Sequence, residues 1–248
     1  MSTSRLLPTT HFTMYQNDDP LEYVILCRKL NVAKVTLTPG SPIPSTIDMR
    51  VVKDAHIPSH VLAVFDIEQG DWGPTYQPTL VPVSADMYTR NFRTSIIPQS
   101  PPGTPYPVPY WVADLGQQYV TIPVIPTFVP HAASIPLLFL FGLGFERRSQ
   151  FLCCRLLPTE VIEEFPAPQA MAQSMAERCS DEQLANHIKF NQGLWKNILL
   201  LGPRDTEFIE VVHTAWNATV EARRIRQRAT MTRSASAELF PPMTTRGM

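Results

Sequence analysis

Proline distribution is the strongest constraint on this chain. Of its 25 prolines, 22 lie at or before Pro168. Each fixes φ near −65° and removes a backbone donor, so no long helix can form where they are dense. The first two thirds must therefore be built from short, interrupted segments, and long helices are confined to the remainder. Five stretches before that point are rich in β-branched or aromatic residues and bounded by Pro, Gly or Asp: Val32 to Leu37, Ile47 to Val52, Val61 to Ile67, Thr79 to Val83 and Tyr119 to Ile125. They are expected to be strands. Between the last two, six prolines from Pro98 to Pro109 impose an extended polyproline-like run of roughly 37 Å at about 3.1 Å per residue. A domain that reads PxxP ligands could bind it, but a stiff surface loop is the plainer expectation.

Helical signals frame these segments. Asp19-Pro20 with Glu22 reads as a capped start running to about Leu30. Ser134 with Pro136 opens a helix that ends near Gly142 and Gly144. Shorter helices are expected over 150–157, 159–165 and 167–178. Ser180-Asp181-Glu182-Gln183 is a capping box, followed by Leu184, Ile188, Leu194, Ile198 and Leu199 at helical spacing up to Gly202. Gly193 inside that helix costs about 1 kcal/mol relative to Ala unless a close helix–helix contact offsets it. Asp205 or Thr206 caps the next helix, whose Phe208, Val212, Ala215 and Val220 share one face. Two antiparallel helices with facing Trp195 and Trp216 would make an αα-hairpin. The fold class is thus α+β, with a proline-rich, strand-containing N-terminal half and a helical C-terminal half ending in that hairpin. The expected divisions are an N-terminal tail over 1–18, a strand region over 19–130, a helical region over 131–228 and a disordered tail over 229–248.

Several chemistries lack their residues. The 31 residues from Leu115 to Phe145 carry no Asp, Glu, Lys or Arg, but Pro123, Pro126, Pro130 and Pro136 break them, so a buried strand and core helix are expected rather than a membrane span. The amino terminus has no uninterrupted apolar run, and no secretory signal is expected. Cys27, Cys153, Cys154 and Cys179 form no CxxC pair and read as reduced, mostly buried thiols of an intracellular protein. His56 and His60 have metal-pair spacing, but Pro58 lies between them. There is no GxSxG, Walker A, HExxH or GxGxxG motif, and no metal or cofactor is implied. The catalytic alternative is an enzyme with a site in the strand-rich half near His56, Asp66 and Asp114; the other alternative is a structural subunit of a larger complex.

Charge is balanced overall, with Lys+Arg 21 against Asp+Glu 22, but not locally. Arg223, Arg224, Arg226, Arg228 and Arg233 stand against Glu221 alone, a local +4. Such a cluster suits a solvated helix end, a nuclear-import address or a phosphate contact. Without interleaved aromatic residues or a recognition helix, direct nucleic-acid reading is not expected. Thr230, Ser234 and Ser236 beside it are candidate phosphorylation sites, where added charge would cancel part of the +4.

Two stretches, Val129 to Gly144 and Asn191 to Asn217, resemble the clampless family of basidiomycete fungi. The matching residues are His131, Ser134, Pro136 and Leu137, then Gly193, Leu194, Trp195, Asn197, Leu201, Gly202 and Trp216, with Val81 to Ser84 upstream. Ile135 stands where the family pattern has an aromatic residue. The resemblance implies a non-catalytic regulator of sexual development that acts in clamp-cell formation downstream of homeodomain mating-type factors. It implies a nuclear protein, possible in the cytoplasm too, that works through a protein partner such as a homeodomain or other transcription factor. On this reading Trp195, Trp216 and Asn197 are the expected partner-binding residues.

Overall fold

The computed structural model describes residues 20–53, 56–67, 77–99, 101 and 103–239, with side chains to residue 232. Helix α1 (Leu21–Lys29) follows Pro20. Asp19, its expected cap, lies outside the described residues. Glu22 does not cap: it is buried, and its carboxylate meets the Arg155 guanidinium at 2.8 Å. The sheet contains β1 (Thr46–Arg50), β2 (His60–Asp66), β3 (Thr79–Val83), β4 (Tyr110–Val112) and β5 (Gln117–Val129) in the order β1-β5-β2-β3, with β4 also on β5. β2 and β5 are parallel; the other pairs are antiparallel.

The prolines of the sheet sit where the ladder can spare a donor. Pro82 is on β3, an end strand of the sheet. β5 changes partners along its length: β4 takes 117–119 and β1 takes 119–123, while β2 takes 124–129. Val124 donates its N–H to Ser45 on the β1 side, so by strand alternation Pro123 faces the gap between β4 and β2. Pro126 faces the β1 side beyond the end of β1.

One expectation for this half needs correction, and two elements were not foreseen. The Val32 to Leu37 stretch is coil apart from a single bridge between Val32 and Val51, because its side chains pack on the core without a neighbouring ladder. The sequence also gives no sign of β4 or of helix α2 (Ala85–Asn91). At three and seven residues, both are too short to establish a period. The described part of the proline-rich segment is exposed or half-exposed, and the Tyr106 hydroxyl donates to Asp86 at 2.6 Å.

Six α-helices follow among the described residues: α3 (Ile135–Gly142), α4 (Ser149–Leu156), α5 (Thr159–Ile162), α6 (Pro168–Arg178), α7 (Asp181–Leu201) and α8 (Thr206–Leu239). All eight residues of α3 are buried, so the uncharged apolar run is the centre of the core. No helix among the described residues is long and apolar enough to cross a membrane. α7 begins with the expected capping box, in which Ser180 Oγ accepts from the Gln183 N–H at 3.1 Å and Gln183 Oε1 accepts from the Ser180 N–H at 2.8 Å. It ends at Gly202, where φ is 62°. Asp205 then caps α8 through the Phe208 N–H at 3.1 Å.

α8 packs on α7 as the second arm of the hairpin and on α6 along another face. Trp216 lies near Pro168 at the start of α6, and Arg226 reaches Ala176 and Cys179 at its end, so α6 and α8 run parallel. The last helix continues to Leu239 instead of giving way to a tail at 229. No Gly or Pro interrupts 206–239, and Ala229, Met231, Ala235 and Ala237 favour helix until Pro241-Pro242.

Candidate partner surface on the carboxy-terminal helices

The segment after β5 is locked onto α7 by residues far apart in sequence. Asn197 is fully buried; its Nδ2 donates to the His131 carbonyl at 2.7 Å and to Ser134 Oγ at 2.9 Å. Its Oδ1 accepts from the His131 N–H at 3.3 Å, and Asp66 Oδ1 accepts from the Ala132 N–H at 2.6 Å. A Cβ on Gly193 would lie 2.3 Å from His131 Cγ. Gly193 is therefore required by the His131 ring, not by a second helix. Asn197 has no exposed surface to offer a partner, which corrects its expected role: it is an internal strut.

The two tryptophans do not face each other. Trp195 stacks on His213 of α8, with ring centroids 4.9 Å apart and planes at 30°, and Asn217 meets His213 Nε2 at 3.2 Å. Trp216, one turn after His213 on α8, is half-buried and faces α6 instead of Trp195. With Val220 and Arg224 it forms an i, i+4, i+8 stripe on α8 that lines a groove of about 420 Å³ against Pro168 and Gln169 of α6, with Asn217 and Glu221 at its sides. Val220, expected on one face with Phe208, Val212 and Ala215, lines this groove instead.

The basic cluster divides. Arg226 turns inward, donating from Nε to the Ala176 carbonyl at 3.0 Å and from Nη2 to the Cys179 carbonyl, and it pairs with Asp181 at 2.5 Å. It thereby satisfies the open end of α6 and ties α6, α7 and α8 together, an internal role the sequence did not suggest. Arg224 and Arg228 share Glu221 at 3.3 and 3.2 Å and remain mostly exposed, as does Arg223. Thr230 is exposed, its hydroxyl donating to the Arg226 carbonyl at 3.0 Å. The side chains of Ser234 and Ser236 lie outside the described residues.

The residues of the catalytic alternative are not brought together. His56 lies before β2 and Asp66 at its far end, and β2 itself spans roughly 20 Å at about 3.3 Å per residue. Asp114 lies on an exposed turn before β5, at the end away from Asp66. Among the described residues no group of three His, Cys, Asp or Glu side chains could hold a metal. None of the four cysteines forms a disulfide, three of them are buried, and burial pushes the Cys153 and Cys179 thiols up.

His60 and His187 are held below the ordinary histidine value of 6.5 by burial, although His187 also meets the Leu156 carbonyl at 3.1 Å, which acts the other way. Below 6.5 the unfolded chain takes up protons that the folded chain resists, so stability present above 6.5 is lost as the pH falls through the folded values. Thermal melts at pH 7.5 and 5.5 should show a lower midpoint at the acidic end. The His60→Gln/His187→Gln double variant should show a smaller difference between the two; an unchanged difference would refute this assignment.

Residues 150–245 match the family model described as the Clampless protein 1 C-terminal domain. The match takes in α4 to α8, with the groove and the basic cluster, and the Asn191 to Asn217 stretch of the resemblance; the Val129 to Gly144 stretch lies outside it. No curated protein and no solved structure matches the chain.

Proposed function

We propose, from the match of residues 150–245 to the Clampless protein 1 C-terminal domain, that the chain is a non-catalytic regulator of fungal sexual development, acting in clamp-cell formation through a protein partner. The observation that carries this reading is that the matched residues 150–245 also hold the Trp216 groove and the exposed Arg223, Arg224 and Arg228. A half-buried tryptophan in a groove beside arginines has the composition of a binding hot spot. The proposed partner is a transcription factor of the mating-type class, and the proposed location is the nucleus, with the exposed arginines as the import address. Trp195 on its His213 stack is a second contact on the neighbouring face. Phosphorylation at Thr230, Ser234 or Ser236 would weaken both docking and import by opposing the arginines.

The test is a strain whose only copy carries Trp216→Ala, compared with one carrying Arg223→Ala/Arg224→Ala/Arg228→Ala. The first should accumulate folded protein but form few clamp cells. The second should move a fluorescent fusion from nucleus to cytoplasm. Normal clamp cells and an unchanged nuclear signal would refute the reading.

A further inference from the structure

We infer that the groove between α6 and α8 receives an acidic amphipathic helix of the partner, with an apolar side chain seated against Trp216 and Val220 and carboxylates at Arg224 and the arginines beside it. This rests on the regulator reading above and adds the chemistry of what is bound.

The groove is shallow and open to solvent, about 420 Å³ in volume, and Trp216, Val220 and Pro168 give it a mostly apolar lining. The basic side chains lie at one end. Arg224 lines the groove, Arg223 is exposed next to it, and Arg228 is exposed one turn further along α8. Among the described residues Glu221 is the only acid lining the groove, and Arg224 and Arg228 already share it. Three arginines against one glutamate leave a +2 surplus. The first turn of α6 carries no acidic residue, and the exposed Glu163 and Glu164 before it do not line the groove. A partner that seats an apolar anchor and neutralises this surplus must carry both features on one surface.

Geometry selects the form of that surface. Trp216 to Arg224 covers eight residues of a straight helix, about 12 Å at 1.5 Å per residue. An apolar position followed by acids one and two turns later on a docked helix spans the same length, which is the helix-in-groove mode. A nucleic-acid backbone would offer phosphates to the arginines but nothing to bury against Trp216 and Val220, and it would confront Glu221.

The experiment titrates the full-length protein with fluorescently labelled synthetic peptides of about sixteen residues. One has Asp and Glu on one helical face and Leu and Phe on the other; in the second the acids become Lys; in the third the apolar face becomes Ser. A labelled DNA duplex is the fourth probe. The first peptide should bind, weakening with salt, and the other three should bind at least about tenfold less tightly. Arg224→Glu, at an exposed position, should weaken the first peptide at least about tenfold with an unchanged circular dichroism spectrum, and Trp216→Ala should do the same. Failure of the acidic peptide to bind, equal binding to Arg224→Glu, or preference for DNA overturns the inference. The two readings can fail separately. If the peptide fails while an Arg224→Glu strain loses clamp cells, only this inference falls. If the peptide binds as expected but that strain forms normal clamp cells, the regulator reading falls.

Discussion

Gly193→Ala is expected to destabilise the protein by about 3 kcal/mol, although helix propensity alone would make it stabilising by about 1 kcal/mol. The added methyl would sit 2.3 Å from Cγ and 2.6 Å from Cβ of His131. The ring cannot simply swing aside, because the His131 backbone is held by Asn197 and the ring itself lies edge-on to Phe190, with centroids 5.7 Å apart. The strain must be taken up by moving α7 away from the end of β5. For a chain of this size the loss corresponds to a melting midpoint lower by about 6–12 °C. A double-mutant cycle identifies the cause. Because His131 Cβ is itself within 2.6 Å, the relieving partner is His131→Gly and not His131→Ala. In the His131→Gly background, Gly193→Ala should cost at least about 2 kcal/mol less than alone. A single variant as stable as the parent would show that α7 and the His131 turn are not in contact.

Asn197→Ala should cost about 3 kcal/mol, nearly as much, by a different route. The side chain has no exposed surface and forms three hydrogen bonds, at 2.7, 2.9 and 3.3 Å, across 63 to 66 residues of sequence. Truncation leaves the part-buried His131 N–H without its acceptor, worth about 1–3 kcal/mol, and takes one donor from the His131 carbonyl, which keeps the Ser134 hydroxyl at 3.2 Å; the cavity left at a fully buried side chain adds the rest. Asn197→Asp keeps the volume but loses both Nδ2 donors and turns a carboxylate toward the His131 carbonyl, so it should be at least as destabilising as alanine. Denaturant melts of the two variants separate packing from hydrogen bonding. Were Asn197 a partner contact, either substitution would leave the melt unchanged and weaken binding alone.

These two positions show what could be read ahead of the coordinates. A glycine inside a well-capped helix was recognisable as a cost needing compensation, but its neighbour is the ring of His131, 62 positions away, and no local pattern points there. Asn197 stood out by resemblance as a surface contact and is buried instead, since an asparagine in a helix does not announce whether its amide meets a solvent or a turn. The same holds for the basic run: four arginines within six residues look equivalent, yet Arg226 alone meets the carbonyls at the end of α6, because its position on α8 turns toward that end. The groove at Trp216 and Val220 required α6 to lie parallel beside α8, which no local pattern states.

The chain alone determined whatever depends on neighbouring residues: β3 from its β-branched run, the start of α3 with Pro136 in its first turn, the start of α7 at the Ser180 capping box and its end at Gly202. Caps, prolines and periods act over one or two turns, so their energies are legible from a few letters. Tertiary structure decided the partner changes of β5 that accommodate Pro123 and Pro126, the placement of α8 against both α6 and α7, and the division of the arginines between an internal clamp and an exposed rim. Each of these depends on which surfaces meet after the chain has closed on itself, and the gain from burying an apolar face does not specify its partner.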